Sequence, residues 1–203
     1  MIVTLISVVS YAQKKGDMNV GFSIYGSAGK LINQSFDDEE LGLESQPLNS
    51  LFGIGVELSY FAKDNLRLGV ALGMPYTTSP IDYENGDWKK VRTIGFSFNP
   101  NISYYVKLAD KFYYTPEFGI AIEAGTMKED AIANFPMHID GYFGWSSYIS
   151  FIAFEYQISP RFSMAAGCGS LGYSSVKELQ CDIKTGQFYF KLNQASLSAR
   201  FYF

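Results

Sequence analysis

The sequence predicts an all-β fold, an eight-stranded antiparallel up-and-down transmembrane β-barrel. Three observations predict it: apolar residues recur at every second position in eight segments, the faces opposite them are poor in charge, and short and long connections alternate along the chain. Period two is typical of a strand whose two faces meet different surroundings. A face of Gly, Ser, Asn and Tyr suits a narrow polar interior, so we expect the apolar face to meet lipid.

The clearest segment lies between residues 92 and 106, where nearly every even-numbered residue is apolar. The odd-numbered residues of that segment are Thr93, Gly95, Ser97, Asn99, Asn101, Ser103 and Tyr105. The same alternation recurs, in chain order, at residues 20–25, 52–60, 66–74, 112–123, 148–158, 162–167 and 197–203. The segment at 148–158 is blurred by Ile149 and Phe151. Eight strands in total give the even number that single-chain bacterial barrels require.

The connections support the same fold. Short turns at residues 62–65, 107–111 and 159–161 join the second strand to the third, the fourth to the fifth and the sixth to the seventh. Long polar stretches at residues 30–49, 75–90, 126–141 and 176–186 join the other neighbours. An outer-membrane barrel has tight turns on one rim and long loops on the other, whereas a soluble sandwich has no reason to segregate loop lengths.

The composition agrees with one membrane-embedded domain. A chain of 203 residues is long enough for one domain, and 17 Phe and 15 Tyr can form the aromatic girdles of a barrel. No segment has 18 consecutive apolar residues, which argues against a transmembrane helix. The net charge is −4 and there is no basic stripe, so nucleic acid is not an expected partner.

Residues 1–12 are predicted to be a secretory signal peptide, and residues 13–203 the barrel domain. An apolar run ends in the small residue Ala12 and is followed by polar Gln13, Lys14 and Lys15, as at a cleavage site. No Lys or Arg precedes the apolar run, so a start codon upstream of Met1 is one interpretation. A short buried first strand is the alternative.

The end of the chain has the most specific short motif, Leu197-Ser198-Ala199-Arg200-Phe201-Tyr202-Phe203. Together with residues 55–61, residues 64–69 and Phe154-Glu155-Tyr156, it resembles the small outer-membrane β-barrel family of OmpX-like proteins and OmpA transmembrane domains. The resemblance implies the barrel fold and a location in the cell outer membrane. It also implies that Phe203 is an assembly signal read by the barrel-assembly machinery. It implies no catalytic residue.

Turning the polar face inward places six charged residues inside the barrel: Glu57, Arg67, Glu117, Glu123, Glu155 and Arg200. An eight-stranded barrel is just wide enough for side chains to fill it, so we expect a structural polar network that includes Tyr25, Tyr105, Tyr113 and Asn101. Because two arginines face four glutamates, some glutamates should be protonated, hydrated or paired elsewhere. A proton or ion path is the alternative interpretation.

Two irregularities are expected. Apolar residues are even-numbered from Phe188 to Leu192 but odd-numbered from Leu197 to Phe203, and one register cannot turn both sets toward lipid. A β-bulge near residues 193–196 would reconcile them. Alternatively, the upper part of this strand stands above the bilayer. Pro100 and Pro116 each remove a ladder hydrogen bond, so a local irregularity is expected between the fourth and fifth strands.

The sequence does not predict an enzyme, and no catalytic, cofactor-binding or metal-binding residue is assigned. His138 is the only histidine, which rules out a His-rich metal site. A lipid A-modifying barrel enzyme is the remote alternative, with His138, Ser146 or Ser147, and Asp140 or Glu129 as a triad. Cys168 and Cys181 could pair in an exported protein.

Any specificity is expected in the long loops, because barrels present function on loops. The first loop carries an acidic cluster at residues 37–40 and Glu44, and the second mixes acidic residues with Trp88, Lys89 and Lys90. The sequence therefore predicts a non-enzymatic barrel with a structural or surface-interaction role. Its expected partners are outer-membrane lipids and an extracellular protein or glycan. Purely solvated loops and an assembly or export accessory role remain open.

Overall fold

The computed structural model describes residues 14–29, 49–82, 88–129, 139–179 and 184–203. These residues form ten strand segments: β1 (Met18–Gly29), β2 (Asn49–Lys63), β3 (Leu66–Asp82), β4 (Trp88–Tyr104), β5 (Val106–Ala109), β6 (Phe112–Tyr114), β7 (Glu117–Glu129), β8 (Ile139–Ser159), β9 (Phe162–Glu178) and β10 (Lys184–Tyr202). Within these ranges, no helix is long and apolar enough to cross a membrane.

The strands close into a ring. β1 pairs with β2, β2 with β3, β3 with β4 and β4 with β7, and β7, β8, β9 and β10 follow in order until β10 pairs with β1. Every pairing is antiparallel. The short β5 and β6 continue β4 and β7 at one end, and β6 pairs with β8 as β7 does. The ring therefore has eight strands, as predicted.

Proline accounts for the break between β6 and β7. Thr115 and Pro116 separate the two segments, because Pro116 has no N–H to donate to the ladder. The register between β4 and β7 passes from the pair Phe98 and Ile122 to the pair Asn101 and Gly119, so Pro100 falls in a gap of the ladder. The predicted irregularity between the fourth and fifth strands is confirmed.

The two rims of the barrel differ. At the rim we call the turn end, tight turns at Asp64-Asn65, Asp110-Lys111 and Pro160-Arg161 join neighbouring strands. Asn65 has φ 65° and Lys111 has φ 60°, the left-handed conformation that a tight turn uses. At the opposite rim, the loop end, the strands run further than predicted: β3 reaches Asp82 and β4 begins at Trp88. The predicted bounds of the last three long loops were therefore wrong, because polar residues replace the apolar alternation before the strands end.

The barrel wall has its apolar side chains outside. Leu68, Phe96 and Ile120 face outward with 44%, 70% and 41% of their surface exposed, whereas Arg67 and Glu155 inside are each 1% exposed. A water-soluble barrel would enclose the first group and expose the second. An apolar outer wall around a polar interior is the arrangement of a barrel embedded in lipid.

Three neighbouring strands reverse their facing partway along. The register between β9 and β10 shifts between Lys191 and Ala195, which confirms the predicted bulge. On β9, Gly169 adopts φ 80° at the same level. On β8, Ser150 pairs with the inward-facing Glu117, and Glu155 pairs with the inward-facing Tyr113. Uninterrupted alternation would turn an even-numbered and an odd-numbered residue to opposite faces, so β8 also has an irregularity between these two residues. The residues of β8 on the loop side of this irregularity therefore face opposite to the prediction: Tyr148 lies inside and Ile149 lies outside.

Candidate functional site: the barrel interior

Arg67 organises one half of a charged network near the turn end. Its guanidinium donates hydrogen bonds to Glu57 Oε2 at 3.2 Å, Glu117 Oε2 at 2.9 Å and Ser103 Oγ at 2.8 Å. The four residues come from β3, β2, β7 and β4, so the network ties together strands on one side of the ring. Tyr148 donates a hydrogen bond to the other oxygen of Glu117 at 2.9 Å.

Glu155 is the centre of the other half. Its carboxylate accepts hydrogen bonds from Tyr105 at 2.8 Å and Ser163 at 2.7 Å, and also from Tyr202 and Arg200. The Glu155 side chain is completely shielded from solvent. A buried carboxylate is tolerated only when it is paired and hydrogen-bonded, and these four donors meet that requirement.

Arg200 connects the two halves. Its Nη2 lies 3.5 Å from Glu57 Oε2, the same oxygen that Arg67 approaches. Five of the six predicted interior charges, all except Glu123, therefore belong to one network in which three glutamates share two arginines. The three carboxyl groups of this network outnumber the two guanidinium groups that contact them.

An aromatic layer underlies the network at the turn end. Phe61, Tyr105, Tyr113 and Tyr202 form a buried cluster, and the Phe61 and Tyr105 ring centroids are 5.2 Å apart. The segment before β1 is fixed to this layer, because Gly16 N–H donates to the Phe61 carbonyl at 2.9 Å. We call the charged network and the aromatic layer together the plug.

The half of the interior toward the loop end is organised differently. Tyrosine rings there lie against the wall at positions where the neighbouring strand carries glycine. A Cβ added at Gly53 would overlap the Tyr25 ring, and one added at Gly119 would overlap the Tyr148 ring. Because the rings lie flat, a cavity of about 800 Å³ remains beside the plug. The expectation of an interior completely filled by side chains is therefore wrong for this half.

Glu123 is separate from the plug. It lines the cavity together with Lys191 of β10, and the two side chains attract each other electrostatically. Sequence reasoning missed Lys191 and placed Tyr148 in the wrong environment. The sequence did contain a signal, since the apolar residues change between even-numbered and odd-numbered positions along β8 and β10. However, the side that each residue faces depends on where the bulges lie.

Several predicted features lie outside the described residues or side chains. His138, Cys181, the acidic residues 37–40 and Glu44 are among these residues, and the side chains of Trp88, Lys89, Glu129 and Asp140 are not described. Cys168 lies half-buried on β9. In the part of the chain that the structure describes, no group of three or more His, Cys, Asp or Glu residues could hold a metal ion.

The closed antiparallel ring and its apolar outer wall define a transmembrane β-barrel, since only a closed sheet satisfies its backbone hydrogen bonds in lipid. Its eight strands, tight turns and polar interior are those of the small barrels of the bacterial outer membrane. The chain accordingly has the fold and the location of the small outer-membrane β-barrel proteins.

Some solved structures are similar to this chain, at low sequence identity. No family model matches the sequence, and no curated protein matches it. Among solved structures, the outer membrane protein OprG of Pseudomonas aeruginosa is 14% identical, with a TM-score of 0.49 over 95% of this chain and 98% of that chain. Ail, the attachment invasion locus protein of Yersinia pestis, solved in complex with the heparin analogue sucrose octasulfate, is 10% identical, with a TM-score of 0.48 over 93% of this chain and 99% of that chain.

Proposed function

We propose that the protein is a non-enzymatic outer-membrane barrel that acts at the cell surface through its loop end, while the plug serves as its structural core. The plug carries the proposal. Arg67, Arg200 and Glu155 are occupied by contacts with one another and with their neighbours, and the aromatic layer lies beneath them. Such a network ties strands together and keeps the turn end closed, which leaves the loop end as the side open to a partner.

The expected partners follow from the outer face of the barrel and from its loop end. Outer-membrane lipids meet the apolar exterior, and an extracellular protein or glycan meets the long connections. Assembly is expected to use the barrel-assembly machinery, with Phe203 as the recognised residue. In support, the Phe203 side chain is exposed on the outer wall, and its backbone exchanges hydrogen bonds of 3.2 and 3.0 Å with Met18 where the ring closes.

The location is tested by membrane fractionation with a heat-modifiability gel. A closed outer-membrane barrel migrates differently before and after boiling and is recovered with the outer membrane. Recovery of a monomer that stays dissolved without detergent would contradict the proposal.

The surface role is tested by binding of whole cells to immobilised extracellular proteins and glycans. Replacing the acidic residues 37–40 by their amides or by serine should reduce binding. Asp64→Asn at the turn end is the matched control and should leave binding unchanged. Equal loss in both variants, or no binding by the parent cells, would contradict a role for the loops. An altered lipid A in a deletion strain would instead indicate an enzyme.

A further inference from the structure

The cavity at the loop end has the size of a small-molecule site. Its volume of about 800 Å³ lies within the range of protein pockets for small ligands, and the mouth of a barrel is a common place for one. The plug forms its floor, with Glu57, Arg67 and Glu117 among the lining residues. These three already bind one another, so they are not the groups on which a ligand would depend.

Two opposite charges face this cavity without joining each other. Glu123 is paired on the neighbouring strands with Ser97 and Gly144, so neither of these two positions places a large side chain beside it. Lys191 lies on β10, with its Nζ 4.7 Å from the centroid of the Tyr189 ring on the same strand. The two charges attract across the cavity, but no direct ion pair joins them among the described residues. Both groups therefore line the cavity without an ion pair between them.

The rest of this wall supplies hydrogen-bonding groups. Tyr25 and Tyr142 also line the cavity with their phenol rings. Ser97 and Ser146 add hydroxyl groups to the same lining. A polar ligand would therefore exchange its water contacts for protein contacts.

We propose that the cavity binds a small zwitterion of amino-acid or dipeptide size, with the ligand's ammonium at Glu123 and its carboxylate at Lys191. A ligand with only a negative charge would be repelled by Glu123, and one with only a positive charge by Lys191. A zwitterion satisfies both charges at once, and the ammonium of Lys191 and the carboxylate of Glu123 both form charge-assisted hydrogen bonds. This binding would be separate from the proposed surface role of the loops.

The test is isothermal titration calorimetry of the protein in lipid nanodiscs with L-alanyl-L-alanine. N-acetyl-L-alanyl-L-alanine, which lacks the ammonium, and L-alanyl-L-alanine amide, which lacks the carboxylate, are the matched ligands. Both should bind about tenfold or more weakly than the zwitterion, the effect of losing one charged hydrogen bond. Equal affinity for all three, or no binding of the zwitterion up to millimolar concentration, would overturn the proposal.

Substitutions test the two residues. Glu123→Gln and Lys191→Gln should each weaken dipeptide binding about tenfold or more. The exchange variant Glu123→Lys/Lys191→Glu should recover most of the affinity, because the ligand can bind in the reverse direction. Lys63→Gln, at an exposed position of the turn end, is the control and should bind as the parent does.

A heat-modifiability gel verifies that each variant forms a closed barrel before titration. If Glu123→Gln fails to fold, the Lys191→Gln and exchange variants decide the question alone. Unchanged affinity in Lys191→Gln, or an exchange variant no better than the single variants, would refute the assignment. None of these outcomes depends on whether the loops bind a surface partner.

Discussion

Replacing Arg67 by methionine tests whether the plug stabilises the barrel. Methionine has a similar length and no charge, so it retains packing but removes the hydrogen bonds to Glu57, Glu117 and Ser103. The Arg67 side chain is 1% exposed, so its hydrogen-bond partners are protein groups and not solvent. The change leaves two carboxylates inside the barrel without the cation that both of them contact.

The expected cost follows from how far those carboxylates are buried. Removing one partner of a buried ion pair costs about 3–5 kcal/mol, because the remaining charge is uncompensated. The side chains of Glu57 and Glu117 are 12% and 21% exposed, so partial solvation lowers the penalty. We therefore expect Arg67→Met to lower the free energy of unfolding by about 3 kcal/mol, the lower end of that range.

The assay is urea unfolding in detergent micelles, monitored by tryptophan fluorescence. A heat-modifiability gel gives a second measurement, the temperature at which the band of the folded barrel changes to that of the unfolded chain. Lys63→Met at the exposed turn end is the control and should change stability by no more than about 0.5 kcal/mol. The double variant Arg67→Met/Glu117→Gln should recover part of the loss, because it removes one of the stranded charges. If Arg67→Met is as stable as the control, the structural role of the plug is refuted. Altered ion conductance with unchanged stability would favour an ion path instead.

The outer wall, a wall glycine and the second carboxylate each give a further prediction. Leu72→Arg, midway along the outer face of β3, should cost about 2–4 kcal/mol in lipid bilayers, against about 0–1 for Thr78→Arg at the loop end; equal costs in urea unfolding would contradict a lipid-facing wall. Gly53→Ala should cost about 1–3 kcal/mol through overpacking, whereas Gly21→Ala, where the nearest atom to an added Cβ is 3.4 Å away, should unfold at nearly the parent's urea concentration. Glu155→Gln should cost about 3–5 kcal/mol, because it leaves Arg200 without its closest partner in the plug; an unchanged heat-modifiability temperature would contradict this.

The alternation of apolar and polar residues predicted most of the fold because it follows directly from the two faces of the barrel wall. Each outward residue meets lipid and each inward residue meets a narrow polar lumen, so residues such as Phe96 and Arg67 could be assigned to opposite faces from parity alone. The number of strands and the tight turns followed from the same pattern. The ends of the strands could not be predicted in this way, because beyond the lipid both faces of a strand are polar.

The residues of the candidate site were predicted correctly on strands where the alternation of inward and outward residues is uninterrupted. They were missed on strands where a bulge interrupts it. Glu57 and Glu117 lie on strands whose facing is uniform along their length, and both were placed inside. Lys191 and Tyr148 lie on the loop side of the irregularities in β10 and β8. A bulge reverses the face of the strand to which the following residues belong, and its position depends on how three neighbouring strands pair. The sequence of one strand alone does not contain this information.

The division of the interior into a plug and a cavity follows from what each strand places opposite its large side chains. In the cavity half, the wall opposite Tyr25 and Tyr148 carries Gly53 and Gly119, so the rings lie flat and the lumen stays open. In the plug half, Arg67 and Glu155 project into the lumen, and Arg200 connects their two groups of contacts through Glu57. The same number of strands can thus enclose either a closed core or an open chamber. In this chain both arrangements occur within one barrel, and in the open half wall glycines let the tyrosine rings lie along the wall.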